Sequence, residues 1–268
     1  MTMPVNLVLV RHGQSEGNVA NKKSRKGDHS AFSGEFMNRH SSQWRLSDLG
    51  REQARIAGRW IKKNIGGKFD RCYTSEYLRA METAALLNFK NAEWYREIFL
   101  RERSWGQLDV MSQEERFTRF NEEMSRRARD GYFWAPPGGE SMADVCIRLN
   151  WVLNTLHREC DDMNVLIVCH GEVMWNFRVR LERLTQQKYY ELEKSKNPHD
   201  KLNNCQVLHY TRRNPVTGDL AQNLNWFRSI CPTDLSLSSN KWQTIVRPKF
   251  TNADLMADVV KTKRLIHE

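Results

Sequence analysis

The sequence predicts an α/β fold, a three-layer sandwich with a mostly parallel central sheet and helices on both faces. Three observations lead there. Residues 5–10 and Asn164–Cys169 are short, almost wholly apolar runs rich in β-branched residues, the pattern of strands buried on both faces. Each run stops abruptly at a His-Gly step. Helix-compatible stretches separate the strand-like runs, and strands alternating with helices pack as a parallel sheet.

The elements follow in chain order. Beyond Gly13, residues 19–45 are polar, basic and irregular, with Lys22, Lys23, Arg25 and Lys26 close together. They read as a long excursion from a compact core, the kind of loop that serves as a lid or binding loop. Ser47 is placed to cap a helix over 48–65, with Leu49, Ile56, Trp60 and Ile61 on one face. Residues 69–74 read as a strand, 76–87 as a helix, and 113–129 as a charged, helix-compatible segment. Pro136-Pro137-Gly138-Gly139 is a turn. Ser141 and Asp144 then form a capping box that opens a helix to about Cys160. A further helix runs from Gly171 to about Leu184. Residues 205–210 and 222–228 read as strands joined by a turn at 214–218, and 252–266 as a helix. The expected organisation is one domain over 1–268, with its core at about 5–210, an insertion at about 19–45 and a C-terminal extension at about 211–268.

Composition narrows the function classes. The chain has 268 residues, 40% hydrophobic and 28% charged, with a formal net charge of +10. The basic excess favours anionic partners: phosphorylated small molecules, nucleic acid or an acidic membrane face. The sequence shows no signal-peptide pattern and no apolar run long enough to span a bilayer. The six cysteines include no C-x-x-C pair, and Cys146, Cys169 and Cys205 sit in apolar runs as reduced core cysteines do. A disulfide framework is not expected at this size, which points to a reducing, cytoplasmic setting.

The two His-Gly steps carry the chemistry. Val10-Arg11-His12-Gly13 and Val168-Cys169-His170-Gly171 each place an imidazole at the carboxyl end of an apolar strand. If the strands are neighbours, both histidines enter one crevice, where ligands bind in such sheets. Phosphoryl transfer needs an in-line attacker, positioning and charge neutralisation. A neutral imidazole can attack near neutral pH, and adjacent guanidinium groups hold it neutral while forking onto phosphate oxygens. Arg11 adjoins His12. Arg79 follows the second strand. Glu102 is a candidate acid for the leaving oxygen.

The segment Arg11-His12-Gly13-Gln14-Ser15-Glu16-Gly17-Asn18 resembles the signature of the histidine phosphatase superfamily, the phosphoglycerate-mutase-like fold. Five further stretches match in the family's order. They are 46–54, then Thr74-Ser75 with 79–84, then Leu100-Arg101-Glu102 with Gly106, and Pro137-Gly138-Gly139-Glu140-Ser141 ahead of His170-Gly171. The resemblance covers roughly residues 5–210. It implies that His12 becomes phosphohistidine and that Arg11, Arg79 and His170 hold the phosphoryl group with help from Asn18. Glu102 would act as general acid and then base. Ser15 and Gly171 join Asn18 as substrate-binding candidates, Gly171 through its backbone amide. No metal or organic cofactor is implied.

Departures from the family pattern refine the reading. Cys169 stands where many relatives carry a serine or threonine. Ser15 occupies the place of the acid phosphatase branch's second arginine, and Gly171 that of its aspartate. Trp105 stands where cofactor-dependent mutases carry a tyrosine, and Arg126-Arg127 lies well short of the proline run. The pattern is more similar to broad-range phosphatases. The expected function is metal-independent hydrolysis of phosphate monoesters, small molecules or phosphoproteins. A phosphoglycerate-type mutase and a non-catalytic phospho-ligand or nucleic-acid binding protein stay as alternatives, the last favoured by basic charge alone. Trp44, Trp105 and Trp134 are candidates for a pocket wall or for ordinary core. His157 and Cys160 lie at helical spacing but have no third or fourth zinc ligand in sequence. Substrate identity and oligomeric state are not legible.

Overall fold

Residues 7–10 are completely buried because their strand lies inside a seven-stranded sheet with helices on both sides. The computed structural model describes residues 2–239 and 241–266. Its elements run β1 (Asn6–Arg11), α1 (Glu16–Ser24), α2 (Gly34–Asn38), α3 (Asp48–Asn64), β2 (Arg71–Thr74), α4 (Leu78–Leu86) and β3 (Trp94–Arg96). Next come α5 (Gln113–Arg119), α6 (Asn121–Arg129), α7 (Met142–Glu159), β4 (Asn164–Cys169), α8 (Gly171–Glu182) and α9 (Gln186–Lys194). The chain finishes with β5 (Val207–Thr211), β6 (Trp226–Ile230), β7 (Gln243–Thr244) and α10 (Asn252–Val259).

The sheet order is β3-β2-β4-β1-β5-β6-β7. The first four strands are parallel, and β5, β6 and β7 are each antiparallel to their neighbours. This is the expected α/β sandwich, with the parallel part at the centre and an antiparallel wing drawn from residues after 206. Alternation along β1 divides the core. Leu7 and Leu9 pack with α7 and α8, while Val8 and Val10 pack with α3 and α4.

Several elements differ from expectation for identifiable reasons. The 19–45 segment is partly helical, because Ser15 and Asn18 form a capping box that starts α1 upstream of it. In α3, Ser47 does cap the helix, accepting from the Gly50 amide, but of the expected apolar stripe only Ile61 is fully buried. Leu49 is 56% exposed, whereas Gly50, Ala54, Ala57, Gly58 and Ile61 are buried. Small residues are needed there because α3 lies directly on the loop after β1. A Cβ at Gly50 would fall 2.0 Å from the Gln14 carbonyl oxygen, and one at Gly13 2.3 Å from the Gly50 carbonyl oxygen. The charged 113–129 segment is two helices, broken at Phe120 (φ −130°, ψ 39°). The last helix ends at Val259, short of 266, and its residues are exposed. Cys146 is half-buried, while the other five cysteines are buried, and all six are free. No helix among the described residues is long and apolar enough to cross a membrane.

The α3 packing yields a contrast that sequence hydrophobicity inverts. Gly50→Ala is expected to destabilise the protein by about 1–3 kcal/mol through overpacking against Gln14. Leu49→Ala should stay within about 0.5 kcal/mol of wild type. Urea denaturation of both variants checks this. A larger loss for Leu49→Ala would contradict the packing described.

Candidate active site

Parallel pairing of β1 with β4 sets Arg11 opposite Cys169, so His12 and His170 leave adjacent strands at the same level. Their rings meet edge to face with centroids 5.1 Å apart. The His12 amide donates to the Cys169 carbonyl at 3.0 Å, and the Cys205 amide donates to the His12 carbonyl at 3.3 Å.

The hydrogen bonds of His12 fix its tautomer. Nδ1 lies 2.7 Å from the Gly13 carbonyl oxygen, which can only accept, so Nδ1 carries the proton. The Nε2 lone pair then accepts from Arg79 Nε at 3.2 Å. Burial, then the charges of Arg79 and Arg11, hold the His12 pKa well below the ordinary histidine value. His170 is held low by burial first, then Arg79, His12 and Arg11. Both rings are therefore neutral around pH 7, and His12 Nε2 is left as an acceptor at the cavity wall.

The structure brings the other predicted residues together around one cavity of about 640 Å³, lined by Arg11, His12, Ser15, Asn18, Arg79, Glu102 and Gly171 among others. Arg79 is buried at 5% exposure, its guanidinium over the Tyr77 ring at 4.9 Å. Arg11 donates from Nη1 to the Leu202 carbonyl at 2.6 Å. Asn18 Oδ1 accepts from the Ser15 amide at 3.1 Å and from Asn204 Nδ2 at 3.0 Å. The Ser15 hydroxyl accepts from the Asn18 amide at 3.3 Å, so it spends an acceptor site on capping α1. Gly171 opens α8, whose N-cap His170 makes no side-chain cap bond. That helix terminus presents positive potential beside the two histidines. His170 itself lies behind the wall, completely buried, with Nε2 2.8 Å from Ser75 Oγ.

Glu102 is half-buried in the wall, with Oε1 accepting from the Arg103 amide at 3.1 Å. Burial, reinforced by the neighbouring Glu172 carboxylate, pushes its pKa up to about 7 against the opposing pull of Arg79 and Arg11. Glu102 is thus a carboxylic acid at mildly acidic pH and a carboxylate at mildly basic pH, as a group that gives and later takes a proton must be.

Two buried atoms beside the histidines have no hydrogen-bond partner among the described residues: Arg11 Nε and His170 Nδ1. Unsatisfied polar atoms of this kind are costly, and they cluster where a ligand completes them. The wall carries seven cationic side chains, Arg11, Lys22, Arg25, Arg79, Arg103, Arg116 and Arg127, against the carboxylates of Glu102, Asp109, Glu172 and Glu193. Such a cavity attracts anions.

Sequence reasoning missed several members. Ser75 lies within the Thr74-Ser75 motif, so the signal was present. Glu172 follows His170-Gly171 directly. Arg103, Arg116 and Arg127 surround the Trp105 ring at 5.1, 5.1 and 4.9 Å, an arrangement no local pattern announces. Arg126 pairs with Glu123 at 2.8 Å, and Arg127, although well short of the proline run in sequence, lines the cavity. Trp44 and Trp105 line the cavity, whereas Trp134 belongs to a small core with Leu108 and Met124. Cys169 packs in the α7/α8 core, where burial drives its thiol pKa up. No group of three or more metal-binding side chains occurs among the described residues, so His157 and Cys160 gain no further ligand.

The family model described as histidine phosphatase superfamily (branch 1) matches residues 7–214. The chain is 34% identical over 196 residues to a 2,3-bisphosphoglycerate-dependent phosphoglycerate mutase of Methylobacterium radiotolerans, covering 70% of this chain and 84% of that protein. It is 31% identical over 199 residues to the protein of that name from Rhizobium meliloti, covering 71% and 85%. A mycobacterial glucosyl-3-phosphoglycerate phosphatase, solved as a complex with VO3, superposes with a TM-score of 0.58 at 25% identity over 76% of this chain and 92% of that one. The alpha-ribazole phosphatase of Shigella flexneri shares the fold with a TM-score of 0.61 at 19% identity, over 82% and 96%.

The neutral histidines make stability depend on pH. His12 and His170 have folded pKa values well below the unfolded one, and burial with Arg228 nearby lowers His209 to about 3. The unfolded chain binds protons first, so stability is full above about pH 6.5 and is lost as the pH falls below it. Each histidine contributes up to about 1.4 kcal/mol per pH unit. Glu102, raised to about 7, acts in the opposite sense and offsets one of the three. Urea denaturation between about pH 6.5 and 5 should show a net fall in stability. A rise across that window would contradict the neutral pair.

Proposed function

Because the chain belongs to the histidine phosphatase superfamily, branch 1, we propose that it hydrolyses phosphate monoesters without a metal, through a phosphohistidine on His12. The observation that carries this reading is the tautomer of His12, a neutral ring protonated on Nδ1 whose Nε2 accepts from Arg79 at the cavity wall.

The chemistry follows in two steps. As Arg79 Nε passes its hydrogen bond from His12 Nε2 to a phosphoryl oxygen, the freed Nε2 lone pair attacks phosphorus in line with the ester oxygen, forming the N–P bond as the P–O bond breaks. Glu102, protonated, gives its proton to the departing oxygen. Arg11 and Arg79 take up charge on the phosphoryl oxygens, with His170 and the N-terminus of α8 beside them and Asn18 and Gly171 at the wall. In the second step a water attacks phosphorus, Glu102 as carboxylate accepts its proton, and the N–P bond breaks to return neutral His12 and inorganic phosphate. The soluble substrate is a phosphorylated small molecule or the phosphorylated side chain of a protein.

A second reading, a phosphoglycerate-type mutase, is favoured by the names of the relatives at 31–34% identity and by the cluster of Arg103, Arg116 and Arg127 around Trp105. Such a cluster suits a phosphoester with a second anionic group. The two readings part at the phosphoenzyme, which gives its phosphoryl group to water in one case and back to a retained phosphoacid in the other. Trp105, in place of the mutase tyrosine, favours release.

The test is hydrolysis of a monoester panel including 3-phosphoglycerate, in EDTA, with inorganic phosphate and isomer formation both measured. Phosphate release that His12→Ala abolishes is expected. Isomerisation with only slow release would establish the mutase instead. Because the first step needs the acid form of Glu102, kcat/KM should be flat below about pH 7 and fall about tenfold per unit above it. Glu102→Gln should lower kcat/KM by roughly 10²–10⁴ and remove that limb, and an unchanged profile would exclude Glu102 as the acid.

A further inference from the structure

We propose that Ser41 and Asp109 are positioning residues, and that together they fix the guanidinium of Arg79 against His12. This deepens the phosphohydrolase reading and rests on it for the role of Arg79.

Arg79 binds at two corners. Nε donates to His12 Nε2 at 3.2 Å, and Nη1 donates to the Ser41 carbonyl oxygen at 2.7 Å. Among the described residues, Nη2 takes no protein acceptor, which leaves that corner for a ligand oxygen. The fork is therefore only as well placed as the Ser41 carbonyl. That carbonyl comes from the 19–45 segment, in the single turn Ser41–Gln43, where little regular structure holds the backbone.

Asp109 supplies the missing restraint. The Ser41 hydroxyl donates to Asp109 Oδ2 at 2.5 Å, across 68 residues of sequence. Ser41 is 8% exposed, an unusual depth for a serine in a polar surface segment. Asp109 is followed by Val110 at φ +55°, a left-handed conformation that a β-branched residue avoids unless its surroundings impose it. The backbone accepts that conformation at the point where the carboxylate meets Ser41. The Asp109 charge also helps, after Glu102, to offset the burial of the Arg79 cation. The order of contacts is thus Asp109 to Ser41 to Arg79 to His12. It joins the inserted segment to the loop after β3, and both segments wall the cavity.

Geometry of this kind matters because a guanidinium binds phosphate through a fixed fork, and a small rotation costs one of its two bonds. Ser41→Ala removes the hydroxyl but keeps the carbonyl. Asp109→Asn keeps an oxygen that still accepts from Ser41. Orthovanadate binding to the full chain, measured by calorimetry, should weaken about tenfold in Ser41→Ala and in Asp109→Ala, as for loss of a hydrogen bond to a charged group. Asp109→Asn should stay within about threefold of wild type. Over an Arg79→Ala background neither alanine substitution should cost anything further, because the contacts act through Arg79. Additive losses over Arg79→Ala, or wild-type affinity in both single variants, would overturn the proposal.

A second readout does not depend on any ligand. In the free protein, the His12 ring followed by nitrogen NMR should titrate at higher pH in Ser41→Ala than in wild type. The Arg79 charge then moves away, while Arg11 and His170 remain. An unchanged His12 titration would also overturn the proposal. Failure of the wild-type protein to bind orthovanadate would count against the phosphohydrolase reading, and the titration would still decide the role of Ser41.

Discussion

The parallel pairing of β1 with β4 sets the register in which Arg11 faces Cys169, and the crevice chemistry depends on that register. Side chains alternate along a strand, so a slip of one residue would turn His12 to the opposite side of the sheet. The register is held by burial on both faces. Leu7 and Leu9 must meet α7 and α8, and Val8 and Val10 must meet α3 and α4. The loop after β1 is then pinned by the mutual approach of Gly13 and Gly50, so the site inherits its precision from the core.

Within that frame the electrostatics follow from crowding cations around buried imidazoles. Burial first, then Arg79 and Arg11, make protonation of His12 and His170 unfavourable, which leaves His12 Nε2 an acceptor. The same crowding leaves buried donors unsatisfied at Arg11 Nε. An incoming anion relieves both conditions at once: it neutralises repulsion among the cations and accepts from the idle donor. Glu102 is the counterpart. Its carboxyl sits beside Glu172 and away from bulk water, which delays its ionisation until about neutral pH. An imidazole kept neutral and a carboxyl kept protonated up to about pH 7 are consequences of one arrangement of burial and charge.

Much of this was legible in the sequence, because the informative features were local. The β-branched runs before His12 and His170, the caps at Ser47 and Ser141, and the order of the motifs each depend on a few adjacent residues. What was not legible depended on distant partners. Apart from Ile61, the buried stripe of α3 is glycine and alanine, with the loop after β1 lying on Gly50, and hydropathy points also to Leu49, which is exposed. Arg116 and Arg127 fall in the charged 113–129 segment, whose local pattern does not tell that both line the cavity. Short β3 and β7 carry too few residues for periodicity to register. The burial of Ser41 follows from Asp109, 68 positions away.

The central claim is that His12 Nε2 carries the phosphoryl group. The most direct measurement is to mix the protein with a radiolabelled phosphate monoester, quench in alkali within the first turnover, and map the label by peptide mass. A phosphoryl group on His12 that survives alkali and is lost in acid is the predicted result. A label on any other residue, or turnover with no labelled protein at all, would contradict it.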